Sequence, residues 1–218
     1  MADKKETKTI LLPEGRVINA SLFEKDQYTP EKGSPGVPSY KIELAFDPKL
    51  VTGQGTVEDE LINAACDEWG DPAEDDFLNG VIRSPLLKGD DLAKDREERG
   101  KAGDAYKGMI VIRANTFFNL NHQDAPGGIQ VYGPDVKEIG PATQNEIYPG
   151  CYGQAAVVIS AYLMDRKRGV KFYLTAFQKT RDGDKLVSQA NYSTLFKPVA
   201  GAGSPTADAP AGRRSRRS

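Results

Sequence analysis

Residues that commonly bind transition metals are scarce in this sequence of 218 residues. It contains two cysteines, Cys66 and Cys151, and one histidine, His122. A structural zinc ion is usually held by cysteine and histidine ligands in a tetrahedron, so carboxylates would have to complete any such site here. We therefore expect no metal and no cofactor, and we expect both cysteines to be buried free thiols.

Long apolar runs are missing as well. No stretch approaches the roughly 18 consecutive apolar residues of a membrane-spanning helix, and the charged start of the chain has no apolar signal region behind it. With 39% hydrophobic residues and a mean hydropathy of -0.52, the sequence predicts a soluble protein of a bacterial or viral interior with no membrane partner. The length suits one domain with insertions or two small domains.

Charge is distributed unevenly, although the net charge is only -2. Residues 54–104 hold 15 acidic and 6 basic residues, whereas residues 105–200 hold 11 basic and 7 acidic ones. The last 18 residues add four arginines and one aspartate. Because salt confines electrostatic fields to about one Debye length, a local basic patch can bind phosphate in an acidic protein.

Apolar and polar residues alternate along several segments, which is typical of half-buried strands. The predicted strands are residues 16–24, 40–46, 109–114, 129–132, 151–164 and 170–179. Thr56 as an N-cap and apolar residues at four-residue spacing predict one principal helix that ends before Gly70. Residues 71–105 show little periodicity, so we interpret them as a long solvated acidic insertion with at most short helical turns.

These elements predict a mainly β fold with antiparallel hairpins, arranged as a barrel or a sandwich. Strand counting alone does not separate these two architectures. We expect residues 1–15 to be a flexible N-terminus and residues 16–199 to be a single domain. Residues 200–218 are rich in small residues and arginine, which predicts a disordered basic tail.

The hairpin of residues 151–164 and 170–179 carries the strongest functional pattern. With a side-chain period of two, Lys171, Tyr173 and Phe177 share one face of the second strand. Lysines neutralise phosphates and flat rings stack on unpaired bases, a combination that favours binding of single strands. The candidate nucleic-acid-binding residues are Tyr152, Tyr162, Arg166, Lys167, Arg168, Lys171, Tyr173, Phe177, Lys179, Arg181 and Lys185. In the alternative interpretation, the rings pack in the core and the lysines are ordinary solvated side chains.

Patterns that would indicate catalysis are weaker. The carboxylates that a metal-dependent nuclease would need are best represented by Asp90, Asp91, Asp95, Glu97 and Glu98. Carboxylates in a segment rich in lysine and glycine are more typical of a solvated acidic surface. Gly53 and Gly55 precede the predicted helix as in a phosphate-binding loop, but the lysine and the spacing of a P-loop are missing. We therefore predict no catalytic residue and no enzymatic activity.

Several segments of the second half of the chain together resemble a known family. They read Tyr106-Lys-Gly-Met-Ile-Val-Ile-Arg-Ala114, Tyr148-Pro-Gly-Cys-Tyr-Gly153, Ala161-Tyr162, Gly169-Val-Lys-Phe172 and Ala176-Phe-Gln-Lys-Thr-Arg-Asp-Gly183. In these segments the sequence is similar to a family of tailed-phage single-stranded DNA-binding proteins. The similarity is strongest from Tyr106 to Pro198 and extends to residues 16–69.

The resemblance implies an OB fold, that is, a five-stranded antiparallel barrel with one principal helix and long loop insertions. It also implies a non-enzymatic role in phage DNA replication or recombination, in the cytoplasm of an infected bacterial host, with single-stranded DNA as the partner. One feature departs from the family. Such proteins often end in an acidic tail that recruits replication proteins, whereas this chain ends in Arg213-Arg-Ser-Arg-Arg217.

On this interpretation the protein binds single-stranded DNA without sequence preference, and it coats and protects exposed strands. Two alternatives stay open: a virion structural or assembly protein with a β-sandwich core, and a metal-dependent nuclease. The acidic insertion either recruits replication proteins or only increases solubility. The sequence also leaves open whether the chain forms a homo-oligomer.

Overall fold

The computed structural model describes residues 9–27, 35–117 and 129–186, so the predicted basic tail and His122 lie outside the described residues. The strands are β1 (Thr9–Leu11), β2 (Gly15–Asp26), β3 (Ser39–Phe46), β4 (Leu86–Lys88), β5 (Ile110–Thr116), β6 (Gln130–Tyr132), β7 (Tyr152–Met164) and β8 (Lys167–Arg181). The helices are α1 (Pro48–Val51), α2 (Val57–Trp69), α3 (Ala73–Leu78) and α4 (Gly89–Glu98), with short 3-10 turns at Asp104–Tyr106 and Pro141–Glu146. The prediction of a mainly β fold is confirmed.

Strand pairing joins β2, β3, β5, β8 and β7 into a closed circuit. β2 pairs with β3, β3 with β5, β5 with β8, β8 with β7, and β7 again with β2. The predicted antiparallel pairing is found in four of the five pairs of the circuit, whereas β5 and β6 each pair with β8 in parallel. A parallel pair needs a long crossover, and here β6 and β7 lie between β5 and β8 in the sequence.

The short strands β1, β4 and β6 have three residues each. Alternation over so few residues gives little sequence signal, and β1 and β4 are not among the predicted strands. Residues 9–15, which we expected to belong to a flexible N-terminus, are part of the fold. Ile10 pairs with Val157 of β7, and Leu12 is fully buried.

The core lies between the inner faces of the strands and helix α2. The strand residues Leu44, Ile112 and Phe172 share one hydrophobic cluster with Leu61 and Ala65 of α2. These side chains recur at the spacing that the sequence predicts for strands and a helix. Their burial is the main source of stability, at about 25 cal/mol for each Å² of apolar surface removed from water.

The principal helix begins and ends where the sequence predicts. The Thr56 side chain accepts a hydrogen bond from the Glu58 backbone N–H at 3.3 Å, and Gly70 ends the helix with a φ of 84°. A positive φ favours glycine, since other residues pay a steric cost there. Among the described residues, no helix has both the length and the apolar character needed to cross a membrane.

The two cysteines are free thiols. Cys151 is fully buried, and this burial raises the pKa of its thiol. Cys66 is only partly buried. The expectation of two free thiols is confirmed, and that of full burial holds for Cys151 alone.

Strand β8 changes face at Thr175. Val157 of β7 pairs with Leu174, and Ala156 pairs with Ala176, so Thr175 is an extra residue that forms a β-bulge. Before the bulge the even-numbered residues Phe172 and Leu174 point inward, and beyond it the odd-numbered residues Phe177 and Lys179 do. Phe177 is 1% exposed and lies in the core, and the prediction that it shares a face with Tyr173 is wrong.

The acidic segment of residues 71–105 is more ordered than the sequence predicts. It forms α3, β4 and α4, and β4 pairs with β5. Ala93 and Tyr106 pack with Ile18, Ala45 and Val111 in a second hydrophobic cluster. This cluster lies on the outer face of β2, β3 and β5. The residues that adjoin its members along each strand, such as Leu44 beside Ala45, point into the core. The apolar residues of the segment are too few and too widely spaced to give a helical period.

Candidate nucleic-acid interface

A basic and aromatic surface lies on the outer face where β3, β5, β8 and β7 are adjacent. Registered partners on neighbouring strands point to the same side of a sheet. Lys41 pairs with Asn115, and Asn115 pairs with Tyr173. The adjacent residues Ala114 and Phe172 are buried in the core. Lys41, Asn115 and Tyr173 therefore face outward. We define the outer-face patch as Lys41, Arg113, Asn115, Tyr162, Lys171 and Tyr173.

Lys171 lies between two aromatic rings of this patch. Its Nζ is 5.4 Å from the ring centroid of Tyr162 and 4.4 Å from that of Tyr173. Cation–π attraction of this kind holds an ammonium group at the level of the rings. Among the described residues, Lys171 has no carboxylate within ion-pair distance, so its charge is available to a phosphate. Both rings are partly exposed.

Arg113 of β5 adds a second cation to the patch. Its Nε donates a hydrogen bond to Glu43 Oε1 at 2.6 Å, and 56% of its side chain is exposed. Lys41 forms an ion pair with Asp26. Sequence reasoning missed Lys41, Arg113 and Asn115 as site residues. Arg113 interrupts the apolar run of residues 109–114, which is the signal that would have found it.

The turn of the β7–β8 hairpin consists of two residues with left-handed backbone. Asp165 has a φ of 49° and Arg166 a φ of 64°, the sign pattern of a type I′ turn, which usually contains asparagine and glycine. Arg166 and Lys167 are exposed at the tip. An arginine in this conformation is strained, because the left-handed region favours glycine and asparagine.

We expect Arg166→Gly to raise stability and to weaken DNA binding together. Glycine adopts a positive φ without steric cost, so the free energy of unfolding should rise by about 1 kcal/mol. Loss of one phosphate contact should make the slope of log affinity against log salt shallower by about 0.7. Urea denaturation and oligonucleotide titration measure the two effects. Higher stability with an unchanged slope would show that Arg166 does not contact DNA.

Arg168 differs from the two exposed residues of the tip. Its guanidinium lies 5.7 Å from the ring centroid of Trp69 and forms an ion pair with Asp76. The backbone of Arg83 also donates to the carbonyl of Arg168 at 3.0 Å. Arg168 therefore ties the hairpin to α2 and α3, and its charge is already balanced.

The remaining candidates form a separate group at the other end of the hairpin. Tyr152 lies ten residues before Tyr162 on β7, about 33 Å along an extended strand. The Arg181 guanidinium lies 3.4 Å from the Tyr152 ring centroid and forms an ion pair with Glu14 at 2.8 Å. Hydrogen bonds from Thr180 and Arg181 lower the pKa of Glu14, which keeps this pair charged. Arg181 covers a face of the Tyr152 ring that a base would need.

Lys179 and Lys185 belong to this second group. Lys179 is 7% exposed, and its Nζ lies 2.7 Å from Asp182, so the prediction that it faces outward with Tyr173 is wrong. The Nζ of Lys185 is 5.2 Å from the Tyr148 ring centroid. The structure therefore separates the predicted site into the outer-face patch with its hairpin tip, a group at the opposite end whose arginine and buried lysine are neutralised, and Phe177, which lies in the core.

The loop before α2 uses its amide groups for its own carboxylates. The Gly53 N–H donates to Glu58 Oε2 at 2.7 Å, and the Gly55 N–H donates to Asp59. These groups are therefore not free to bind a phosphate. This agrees with the interpretation of the segment as a turn followed by an N-cap.

Several phage proteins of known structure have a similar fold. The single-stranded DNA-binding protein from bacteriophage Enc34 in complex with ssDNA has a TM-score of 0.53 and 17% identity over 82% of this chain and 89% of that chain. A C-terminal truncation of the Enc34 protein has a TM-score of 0.55 and 18% identity, covering 81% of this chain and 87% of that chain. Bacteriophage T7 gp2.5, a single-stranded DNA-binding protein, has a TM-score of 0.53 and 11% identity over 88% of this chain and 96% of that chain. These likenesses assign the OB-like fold of the phage proteins to this chain.

Sequence comparison gives the family. A search of the curated proteins finds no match. The sequence profile described as Enterobacter phage Enc34, ssDNA-binding protein, matches residues 12–205. This range includes every strand of the circuit and every residue of the outer-face patch. The chain belongs to the family of the Enterobacter phage Enc34 ssDNA-binding protein.

Proposed function

We propose that this protein binds single-stranded DNA with little sequence preference and coats exposed strands during phage DNA replication or recombination. It acts by occupancy, without catalysis, in the cytoplasm of an infected bacterial host. The observation that carries the proposal is the position of Lys171 between Tyr162 and Tyr173 on an outward face. Family membership gives the same function class.

The outer-face patch has the position of an OB-fold binding surface. OB folds bind oligonucleotides on their second and third strands, between the loops that follow the first and the fourth strand. Counted in chain order along the closed circuit, β3 and β5 are the second and third strands. The loop after the fourth strand is the β7–β8 turn with Arg166. This correspondence supports the patch and the exposed hairpin tip as the DNA-binding surface.

Each component of the patch has a distinct task in binding. Lys171 and Arg113 contact phosphates, and release of the condensed counterions favours association. The rings of Tyr162 and Tyr173 stack on bases, at about 1–3 kcal/mol per base. Stacking tolerates any sequence because every base has a π face, and phosphate contacts do not read base edges.

The contacts of the α4 carboxylates favour DNA binding by other residues over metal-dependent cleavage as the function of the protein. Asp95 forms an ion pair with Arg99 at 2.9 Å, and Glu97 forms one with Lys107 at 2.8 Å. Asp90 accepts a hydrogen bond from the Gly108 N–H at 2.8 Å. Within the part of the chain that the structure describes, no three histidine, cysteine or acidic side chains are grouped as metal ligands.

Titration of the protein with fluorescent single-stranded and duplex oligonucleotides tests this function. We expect tighter binding to single strands, and a slope of log affinity against log salt of about -0.7 for each phosphate contacted. The oligonucleotide should remain intact when magnesium is added. A slope near zero, or magnesium-dependent cleavage, would contradict the proposal.

A further inference from the structure

The outer-face patch includes an arginine that is held in one orientation by a shielded carboxylate. Arg113 Nε donates to Glu43 Oε1 at 2.6 Å, and Tyr106 Oη donates to Glu43 Oε2 at 3.1 Å. Only 12% of the Glu43 side chain is exposed, against 56% for Arg113. Because both carboxylate oxygens have a donor, Glu43 is fixed, and it fixes the Nε side of the guanidinium.

We propose that Glu43 is a positioning residue for DNA binding, which orients Arg113 toward a phosphate, and that Tyr106 supports it. This inference rests on the function proposed above. Among the described residues, Arg113 has no further hydrogen-bond partner, so its two terminal nitrogens are free. A guanidinium held at Nε presents these nitrogens as a planar pair of donors, the geometry that binds phosphate in bidentate fashion.

Tyr106 is itself held firmly. It is 3% exposed, and the Arg96 guanidinium lies 5.0 Å from its ring centroid. Burial, and then the charge of Glu43, raise the pKa of Tyr106 to about 12, so the hydroxyl keeps its proton and remains a donor at neutral pH. The acidic segment thus has a role inside the molecule, because its Arg96 covers the ring of Tyr106, the residue that directly follows the segment and completes the Tyr106–Glu43–Arg113 chain.

Arg113 is placed so that it and Lys171 can contact phosphates of the same DNA strand. Ala114 of β5 pairs with Phe172 of β8 in parallel. The residues that precede them, Arg113 and Lys171, are therefore neighbours on adjacent strands and share the outer face. Orientation of Arg113 therefore decides whether both cations face the same DNA backbone.

A purely neutralising role for Glu43 predicts the opposite effect of its removal on DNA affinity. If the carboxylate only neutralised Arg113, its removal would add one positive charge to the patch and would tighten binding. If it positions Arg113, removal weakens binding although the patch becomes more positive. The sign of the change therefore distinguishes the two roles.

The experiment measures affinity for an oligothymidylate and its salt dependence for Glu43→Gln, Tyr106→Phe and Arg113→Gln. Asp95→Asn is the matched control, because it removes one negative charge from an exposed ion pair in which no residue of the patch takes part. We expect Glu43→Gln to weaken binding about tenfold and to make the salt slope shallower by about 0.7. Tyr106→Phe, which changes no charge, should weaken binding by a smaller factor, and Asp95→Asn should leave the slope unchanged.

A double-mutant cycle assigns the loss to Arg113. Glu43→Gln should have no further effect in the Arg113→Gln background. Glu43→Gln binding that equals or exceeds the wild type would overturn the positioning role, as would an equal loss in the Arg113→Gln background. If Glu43→Gln fails to fold by circular dichroism, Tyr106→Phe decides alone, and unchanged affinity of that variant overturns the proposal. Absence of salt-dependent binding by the wild type would instead contradict the proposed function itself.

Discussion

Replacement of Phe177 by alanine is expected to lower the free energy of unfolding by about 3–5 kcal/mol, the usual cost of removing a buried aromatic ring. The ring is 1% exposed and lies in the main hydrophobic cluster. It also lies against Gly153, where an added Cβ would collide with the Phe177 ring. Urea denaturation followed by the emission of Trp69 measures the change.

Tyr173→Ala is the matched control for this measurement, because Tyr173 lies on β8 before the bulge and points outward. Its effect on stability should be below about 1 kcal/mol, as for most surface substitutions. The result that would contradict this assignment is a Phe177→Ala protein with wild-type stability and reduced DNA affinity. Such a protein would place the ring on the binding face, as the simple alternation of the sequence predicts.

Tyr173→Ala is expected to weaken binding of single-stranded DNA by about 1–3 kcal/mol, the value of one stacked base. The same substitution leaves Lys171 without its nearer ring, which lies 4.4 Å away, so the ammonium is no longer held at the level of the bases. Fluorescence anisotropy with a labelled oligothymidylate at fixed salt measures the affinity.

Tyr132→Ala provides the comparison for this prediction. Tyr132 is a partly exposed tyrosine of β6 and lies outside the outer-face patch, so its removal should leave the affinity unchanged. Equal losses for Tyr132 and Tyr173 would point to a general effect on folding. Wild-type affinity of Tyr173→Ala would remove this ring from the interface.

Most of the fold follows from local patterns in the sequence. Alternation identifies β3 and β7, a continuous apolar run identifies β5, and the capping residue Thr56 marks the start of α2. The sequence does not reveal the bulge at Thr175, because one extra residue in a strand has no composition of its own. This single residue reverses the faces beyond it, and it accounts for the wrong placement of Phe177 and Lys179.

The proposed binding surface was predicted only in part, because it is assembled from distant segments. Tyr162, Lys171 and Tyr173 belong to one hairpin, and the spacing of two along each strand reveals them. Lys41 and Arg113 join them through the pairing of β3 with β5 and of β5 with β8. These pairings link residues far apart in sequence, so no local pattern reports them.

The balance of charges also depends on long-range contacts. In the sequence, Arg168 and Lys171 are both candidate cations for a phosphate. Arg168, however, forms an ion pair with Asp76, a residue of the acidic segment. Arg181 likewise forms an ion pair with Glu14. Composition counts such residues as free cations, and only the fold shows which charges remain available to DNA.

Photochemical crosslinking tests most directly whether DNA lies on the outer-face patch. The wild-type protein is irradiated in complex with an oligothymidylate, and the attached peptides are identified by mass spectrometry. We expect thymine to be attached at Tyr173 or Tyr162, and the yield to fall as salt weakens the complex. Attachment confined to Tyr148 or Tyr152, at the opposite end of the hairpin, would contradict this account.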